Sequence, residues 1–359
     1  MIKIPSNCTG CHACVSICPK KCIAMEDAGE GFLFPVIDEK ECILCGQCEK
    51  VCPILYEPEK SRYTQAFAIK SRNEAERENS TSGGVFPLLA AQILDSNGIV
   101  YGASYDEEFA VRHIAITSRN MVASLQGAKY VQSSTGSCFQ EIKEELQGGR
   151  MILFSGTPCQ CAGLKSFLGK EYDNLITVDL ICHGVPSPKV WQTYIDYRAG
   201  KENNGIRPVR INMRSKASGW SRYSVEFDYG EGNITRIQNN QDLFIKAFIG
   251  NICLRLSCSE CKAKGVERCT DLTLGDYWGI WNQHPEFDDN KGTSIVFVHT
   301  EQGKKLLGEM QAQIDCLEVE VLEAYKENPS LVCSSEEHEK RREFLERVRA
   351  ETFERMDGA

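Results

Sequence analysis

Two cysteine runs open the chain: Cys8-x-x-Cys11-x-x-Cys14-x-x-x-Cys18-Pro19 and, repeating it, Cys42-x-x-Cys45-x-x-Cys48-x-x-x-Cys52-Pro53. This spacing is a bacterial pattern of iron–sulfur ligation. Three thiolates on a tight loop reach three corners of a cubane. The fourth opens a helix, points away and completes the other cluster. Pro19 and Pro53 help turn the chain there. The pattern predicts one 4Fe–4S cluster on Cys8, Cys11, Cys14 and Cys52 and a second on Cys42, Cys45, Cys48 and Cys18. Zinc usually takes paired C-x-x-C knuckles and fits two complete runs of four poorly. Cys22 reads as a buried structural thiol, and His12 as a surface residue beside a cluster. Such a module carries one electron per cluster and does no substrate chemistry itself.

Other cysteines end apolar runs. Cys159, in Ser155-Gly-Thr-Pro-Cys159-Gln, and Cys182, in Asp179-Leu-Ile-Cys182-His183-Gly184, each follow a candidate strand. Strand ends are where α/β folds place their sites. Cys258 and Cys261 add a C-x-x-C. These four thiolates are the number that a third 4Fe–4S cluster needs. Two other readings stay open. Pro158 puts Cys159 at a helix start, where a lowered pKa suits a nucleophile or a redox pair with Cys161. Alternatively, all are buried structural thiols. Cys253 and Cys269 flank the C-x-x-C and are the first substitutes. Cys138, Cys316 and Cys333 show no consistent partner spacing.

The elements that must hold these groups follow from length and pattern. The 359 residues are 42% hydrophobic, enough for two or three domains. The net charge of −9 argues against nucleic acid or an anionic membrane as main partner. The N-terminus shows no signal-peptide pattern, and no run is long enough for a membrane span. A cytoplasmic chain is therefore expected, its 19 cysteines reduced. Residues 1–55 form the two-cluster ferredoxin-like module and 56–64 a linker. Residues 65–335 form a mixed α/β or α+β domain with a central sheet, and 336–359 a charged, solvated C-terminal helix. Strands are expected at 66–70, 98–104, 109–116, 151–155, 175–181, 207–213, 222–229 and 294–298. Helices are expected at 84–95, 137–147, 158–168, 188–198, 240–249, 301–313 and 336–355.

Three polar or aromatic turns stand out. Ser82-Gly83-Gly84-Val85 precedes an apolar helix; it suits an anion such as a phosphate, or is simply a cap. Gln126-Gly127-Ala-Lys129-Tyr130-Val-Gln132-Ser133 offers a cation, a ring and hydroxyl groups, which suit a pyrophosphate and a flat ring, or an ordinary loop. Gly275-Asp276-Tyr277-Trp278-Gly279-Ile280-Trp281 reads first as core packing and second as a cofactor wall. No G-x-G-x-x-G follows a strand.

In order along the chain, Ser82–Val85, Gly127–Ser133, Gly156-Thr-Pro-Cys-Gln160, Ile181-Cys-His-Gly-Val-Pro186 and Asp271-Leu-Thr-Leu-Gly-Asp-Tyr-Trp-Gly279 resemble the beta subunit of coenzyme F-420 (deazaflavin) hydrogenases and dehydrogenases. The resemblance runs over roughly residues 5–300. It implies a domain that binds FAD, with the third 4Fe–4S cluster close to the flavin. It implies flavin contacts at Ser82, Gly83, Gly84, Val85, Lys129, Tyr130, Gln132 and Ser133. Lys129, favouring an anionic reduced flavin or a phosphate, and His183, a proton donor, are the catalytic candidates. The implied function is an oxidoreductase passing electrons between an organic two-electron carrier, deazaflavin-like or other, and a redox protein partner or ferredoxin. The alternatives are a non-catalytic electron-transfer subunit of a larger complex and a scaffold stapled by its clusters. The family spans several substrates, so the substrate does not follow from the resemblance.

Overall fold

The structure, a computed structural model, describes residues 3–357. In the N-terminal module, helices Ala13–Ile17 and Gln47–Lys50 grow out of the two cysteine loops. Strands β1 (Ile23–Asp27) and β2 (Leu33–Ile37) pair antiparallel between them. The sequence repeat is also a backbone repeat. Gly10 and His12 both have φ 68°, and their counterparts in the second run, Leu44 and Gly46, have φ 55° and 72°. This left-handed turn curls each loop.

The remaining strands are β3 (Gln65–Ser71), β4 (Ile99–Tyr105), β5 (Val111–Ile116), β6 (Ile152–Ser155), β7 (Leu175–Leu180), β8 (Arg210–Ser215), β9 (Ser224–Asp228), β10 (Ile234–Gln238), β11 (Leu272–Asp276), β12 (Ser294–Val298) and β13 (Ile314–Val319). Eight of them form one mixed sheet, in the order β13-β3-β12-β11-β7-β6-β4-β5. The middle four, β11, β7, β6 and β4, run parallel, and the flanking strands are antiparallel. Both faces are covered, which explains the near-continuous apolar runs of β6 and β7. Val100, Leu153, Ile176 and Val178 pack with helices Val85–Asp95 and Glu301–Glu309. Ile99, Tyr101, Ile152, Phe154 and Leu175 face the other way, toward helices Cys138–Gln147 and Pro158–Leu168.

Cys11, Ala13 and Val51 of the N-terminal module belong to that second core. The module is thus fused to the sheet domain by packing as well as by sequence. His12 is buried, not on the surface, because it faces this joint. Segment 56–64 has no regular structure but is tied down: the Ser61 amide donates to the Arg268 carbonyl at 2.8 Å.

A further core joins helix Pro188–Glu202, the β8-β9-β10 sheet, helix Leu243–Ile249 and the C-terminal segment. That segment differs from the expected single solvated helix. It forms two helices, Arg341–Arg347 and Ala350–Asp357, which bury Leu345, Val348 and Phe353. The Phe353 ring lies 4.9 Å from Tyr194 and 5.7 Å from Tyr197. Five large apolar residues, Phe344, Leu345, Val348, Phe353 and Met356, stand among many charges, and the break between the two helices interrupts their periodicity. Among the described residues no helix is long and apolar enough to cross a membrane.

Candidate functional site

The eight cysteines of the two runs sort into two cavities. One is lined by Cys8, Cys11, Cys14 and Cys52, the other by Cys18, Cys42, Cys45 and Cys48. The fourth cysteine of each run has crossed to the other's loop. Cys22 also faces the second cavity, its Sγ 3.5 Å from that of Cys18. Among the described residues no three His, Cys, Asp or Glu side chains gather for a single metal ion. The thiols ring cavities instead, and four thiolates around one space are the donor set of a cubane.

A third thiol set assembles from distant parts of the chain. Cys159 opens helix Pro158–Leu168 just past β6, Cys182 follows β7, and Cys258 and Cys261 come from the loop before β11. Burial pushes the thiols of Cys159, Cys182 and Cys258 up to about 12, and neighbouring thiols of the set push the same way. The lowered pKa expected for Cys159 at a helix start does not occur: desolvation outweighs the helix terminus. Cys159 and Cys261 line the cavity here, with Cys269 beside them. Cys161 and Cys253 are fully buried, the first with its Sγ toward the Val178 carbonyl and the second in the core around Trp191. The set has outer support of the kind that orients metal ligands. Thr157 Oγ1 lies 3.2 Å from Cys159 Sγ, and the Val185 amide donates to Cys258 Sγ at 3.4 Å. The donor chemistry fits a third cubane.

Beside this set a cleft of about 1290 Å³, open to solvent, runs along the carboxyl ends of β4, β6, β7 and β11. Ligands of parallel α/β sheets bind there. Ser82, Gly84, Val85, Lys129, Tyr130 and Ser133 line it. Two expected contacts do not. Gly83 is packed between strands, its amide on Ser294 Oγ at 2.9 Å. Gln132 turns to the N-terminal module and donates to the Thr9 carbonyl at 3.0 Å. His183 also lies outside the cleft. Its Nε2 is 2.7 Å from Asn251 Oδ1, and burial lowers its pKa.

The cleft's charge is unusual. Among the described residues Lys129 Nζ donates only to backbone carbonyls, to Gln126 at 2.8 Å and to Leu125 and Gly127 at 3.4 Å. Desolvation lowers its pKa to about 8. Arg214, hidden in β8 from any sequence signal, pairs with Asp276 at 2.9 Å and donates to Tyr130 Oη at 3.1 Å. His113 is buried and neutral, its pKa lowered to about 4 by desolvation. Its Nε2 faces the Ser155 carbonyl at 2.9 Å; a carbonyl only accepts, so Nε2 carries the proton and Nδ1 accepts from Ser133 Oγ at 3.1 Å. Gln160 donates to the same Ser133 Oγ at 3.0 Å and accepts from the Thr157 amide at 3.0 Å. The capping box in Gly-Thr-Pro-Cys-Gln is a visible hint of this last link. A cationic, glycine-edged cleft over a helix start fits the diphosphate of a dinucleotide cofactor.

Residues 7–54 match the family model of the 4Fe-4S dicluster domain, and residues 149–324 that of the C terminus of the coenzyme F420 hydrogenase/dehydrogenase beta subunit. The chain is similar to the F subunit of the F(420)H(2) dehydrogenase of Methanosarcina mazei, 25% identical over 193 residues, which are 49% of this chain and 53% of that protein. The chain thus spans about half the length of that relative. An uncharacterized protein of Methanocaldococcus jannaschii is 22% identical over 282 residues, 66% of this chain and 71% of that one. A chain in a xenon-derivatized structure of the F420-reducing NiFe hydrogenase complex from Methanosarcina barkeri aligns with TM-score 0.48 and 16% identity, over 72% of this chain and 82% of that one. Residues 7–54 thus match a 4Fe–4S dicluster domain, and residues 149–324 match the C-terminal part of the coenzyme F420 hydrogenase/dehydrogenase beta subunit family.

Proposed function

We propose that this chain is an FAD- and 4Fe–4S-dependent oxidoreductase, with a third cubane on Cys159, Cys182, Cys258 and Cys261 between the cleft and the N-terminal clusters. One observation carries the reading: the cleft and the third thiol set share a wall. Thr157 lines the cleft and reaches Cys159 with its hydroxyl, and Ile181 lines it and precedes Cys182. Cys159 in turn lies close enough to Cys11 to raise its pKa, behind burial as the main cause. Cleft, third set, first set and second set therefore follow one another. A flavin in the cleft supplies exchange of two electrons with an organic carrier and of single electrons with a cluster.

The chain's own residues bind and orient. Backbone N–H groups at the start of helix Val85–Asp95 suit a diphosphate. Lys129 offers a cation with no carboxylate partner among the described residues. The hydrogen-bonded row His113, Ser133, Gln160 and Thr157 fixes the wall nearest Cys159. The family supports a deazaflavin-like carrier as the class of substrate. Ile43 and Leu44 are 57% and 65% exposed beside the exposed Cys45. This apolar lip supports a redox protein partner or ferredoxin docking at the second cluster. It also favours the second reading, an electron-transfer subunit without a substrate of its own. A cytoplasmic setting suits the unpaired cysteines.

Anaerobic purification followed by iron, sulfide and flavin determination tests the reading. About twelve irons and one FAD per chain are expected, four irons for each cubane. About eight irons and no flavin after reconstitution would overturn it. Lys129 gives a second test. Its ammonium is charged below pH 8 in the flavin-free protein, and pairing with an anion raises its pKa. FAD affinity should therefore hold below pH 8 and weaken above it, by up to about tenfold per pH unit. Fluorescence titration from pH 6.5 to 9.5 reads this, and Lys129→Gln should flatten the profile.

A further inference from the structure

Arg255 is 2% exposed, and its guanidinium sits between two thiol sets. Nε donates to the Cys8 carbonyl at 2.8 Å, Nη1 to Gln132 Oε1 at 2.9 Å and Nη2 to the Leu33 carbonyl at 2.9 Å. The Phe34 and Phe32 rings lie 4.2 Å and 5.4 Å from it. All of these partners are neutral. Among the described residues no carboxylate forms an ion pair with Arg255. Buried cations are normally paired, because taking an unpaired charge out of water is costly. Burial lowers its pKa, against the pull of the sulfurs of Cys8 of the first set and Cys159 and Cys258 of the third, and the Cys258 amide donates to the Arg255 carbonyl at 2.9 Å. Those sulfurs are anionic when they hold iron.

We propose that Arg255 compensates the charge of two iron–sulfur clusters at once, the one on Cys8, Cys11, Cys14 and Cys52 and the one on Cys159, Cys182, Cys258 and Cys261. The inference rests on the third-cluster reading above. Each cluster gains one negative charge when it accepts an electron. A fixed cation beside both stabilises both reduced states and raises both potentials together. Neither water nor salt reaches the guanidinium to screen it. A shared cation shifts the two potentials in the same direction, so it alters the driving force for electron transfer across the joint between the modules less than it alters either potential. No proton or atom need move with them. None of the guanidinium's hydrogen bonds reaches the loops of the second set, Cys18, Cys42, Cys45 and Cys48, so that cluster is expected to feel it least.

The test compares Arg255→Gln and Arg255→Lys with the wild-type full chain, each prepared without oxygen. Iron content is measured first, then the midpoint of each cluster by a redox titration followed by electron paramagnetic resonance. In Arg255→Gln two midpoints should fall, each by at least about tenfold in the equilibrium constant of reduction, while the third stays in place. Arg255→Lys keeps the charge but breaks the three-way fork, so both midpoints should stay near wild type. If Arg255→Gln takes up no iron, the lysine variant decides. Midpoints near wild type support the proposal, and a drop in both as large as that expected for glutamine leaves the fork, not the charge, responsible and overturns it. Twelve irons with unmoved midpoints in Arg255→Gln also overturn it. A wild-type chain with only about eight irons removes the third-cluster reading itself, and the double role of Arg255 with it.

Discussion

Cys52→Ala should abolish the cluster built on the first cysteine run, and Cys18→Ala the cluster built on the second. Each variant should lose about four irons per chain. The assignment is crossed: Cys52 follows the second run in sequence, yet it shares a cavity with Cys8, Cys11 and Cys14. The resonance signal lost in Cys52→Ala should therefore match the one lost in Cys8→Ala and differ from that lost in Cys42→Ala. Stability should divide the same way. The first cavity is bonded into the main fold: Cys11 lies in the core beneath helix Pro158–Leu168, and Gly163 of that helix leaves no room there, since a Cβ on it would meet Cys11 Sγ at 2.9 Å. The second cavity ends in the exposed Ile43, Leu44 and Cys45. Metal-binding free energy is folding free energy where the site forms only on folding. Thermal melting should thus fall much further for Cys52→Ala than for Cys18→Ala. A larger loss for Cys18→Ala than for Cys52→Ala, or a Cys52→Ala signal matching Cys42→Ala, would mean that the ligands are not crossed.

The crossed pairing was legible because it follows from a local backbone rule repeated twice. The middle of the sheet was legible for a related reason. β4, β6, β7 and β12 are short apolar runs, and the parallel ones are buried on both faces. Strands with another character escaped notice. β10, Ile234-Thr-Arg-Ile-Gln238, is an edge strand of alternating polarity in a small sheet. β13, Ile314-Asp-Cys-Leu-Glu-Val319, follows directly on a helical pattern and carries two carboxylates. β11 was in view only as part of an aromatic motif. In that motif, Tyr277 and Ile280 are core, while Asp276 lines the cleft and accepts from Trp220 Nε1 at 3.2 Å.

The site was legible where ligands come in clusters and hidden where single side chains converge. Strand-end position brought Cys159 and Cys182 into view, because β6 and β7 run parallel and neighbouring. Nothing local marks Arg214, His113 or Arg255. Arg214 points from a strand of a different sheet, and Arg255 derives its role wholly from neighbours far away in sequence. Gln132 shows the converse error. It stands among cleft residues in sequence, yet the chain bends at Val131, whose amide donates to the Lys129 carbonyl at 2.8 Å, and the Gln132 side chain leaves the cleft. Val131 and Ser133 line the cleft, and Gln132 meets the N-terminal module.

Gly83→Ala should destabilise the chain by about 3 kcal/mol, with or without flavin. The sequence invites a different view, in which Ser82-Gly-Gly-Val85 is flexible backbone around a phosphate. At Gly84 that view suits the geometry, since its φ of 82° starts helix Val85–Asp95 and it lines the cleft. Gly83 does something else. A Cβ there would lie 2.2 Å from the Ile69 carbonyl oxygen and 2.7 Å from the Ser294 amide. Ile69 and Ser294 are paired residues of β3 and β12, so neither can retreat without opening the sheet. The Ser71 amide also donates to the Gly83 carbonyl at 2.7 Å. Gly127 provides the contrast. It has φ 81°, lines the cleft and has open space around it, so alanine there meets backbone strain of about 1 kcal/mol but no clash. Chemical denaturation of flavin-free protein separates the two. A large loss for Gly83→Ala and a small one for Gly127→Ala make Gly83 the spacer that lets the cleft loop lie against the sheet. Unchanged stability in flavin-free Gly83→Ala, with weakened FAD binding alone, would instead return Gly83 to the cofactor.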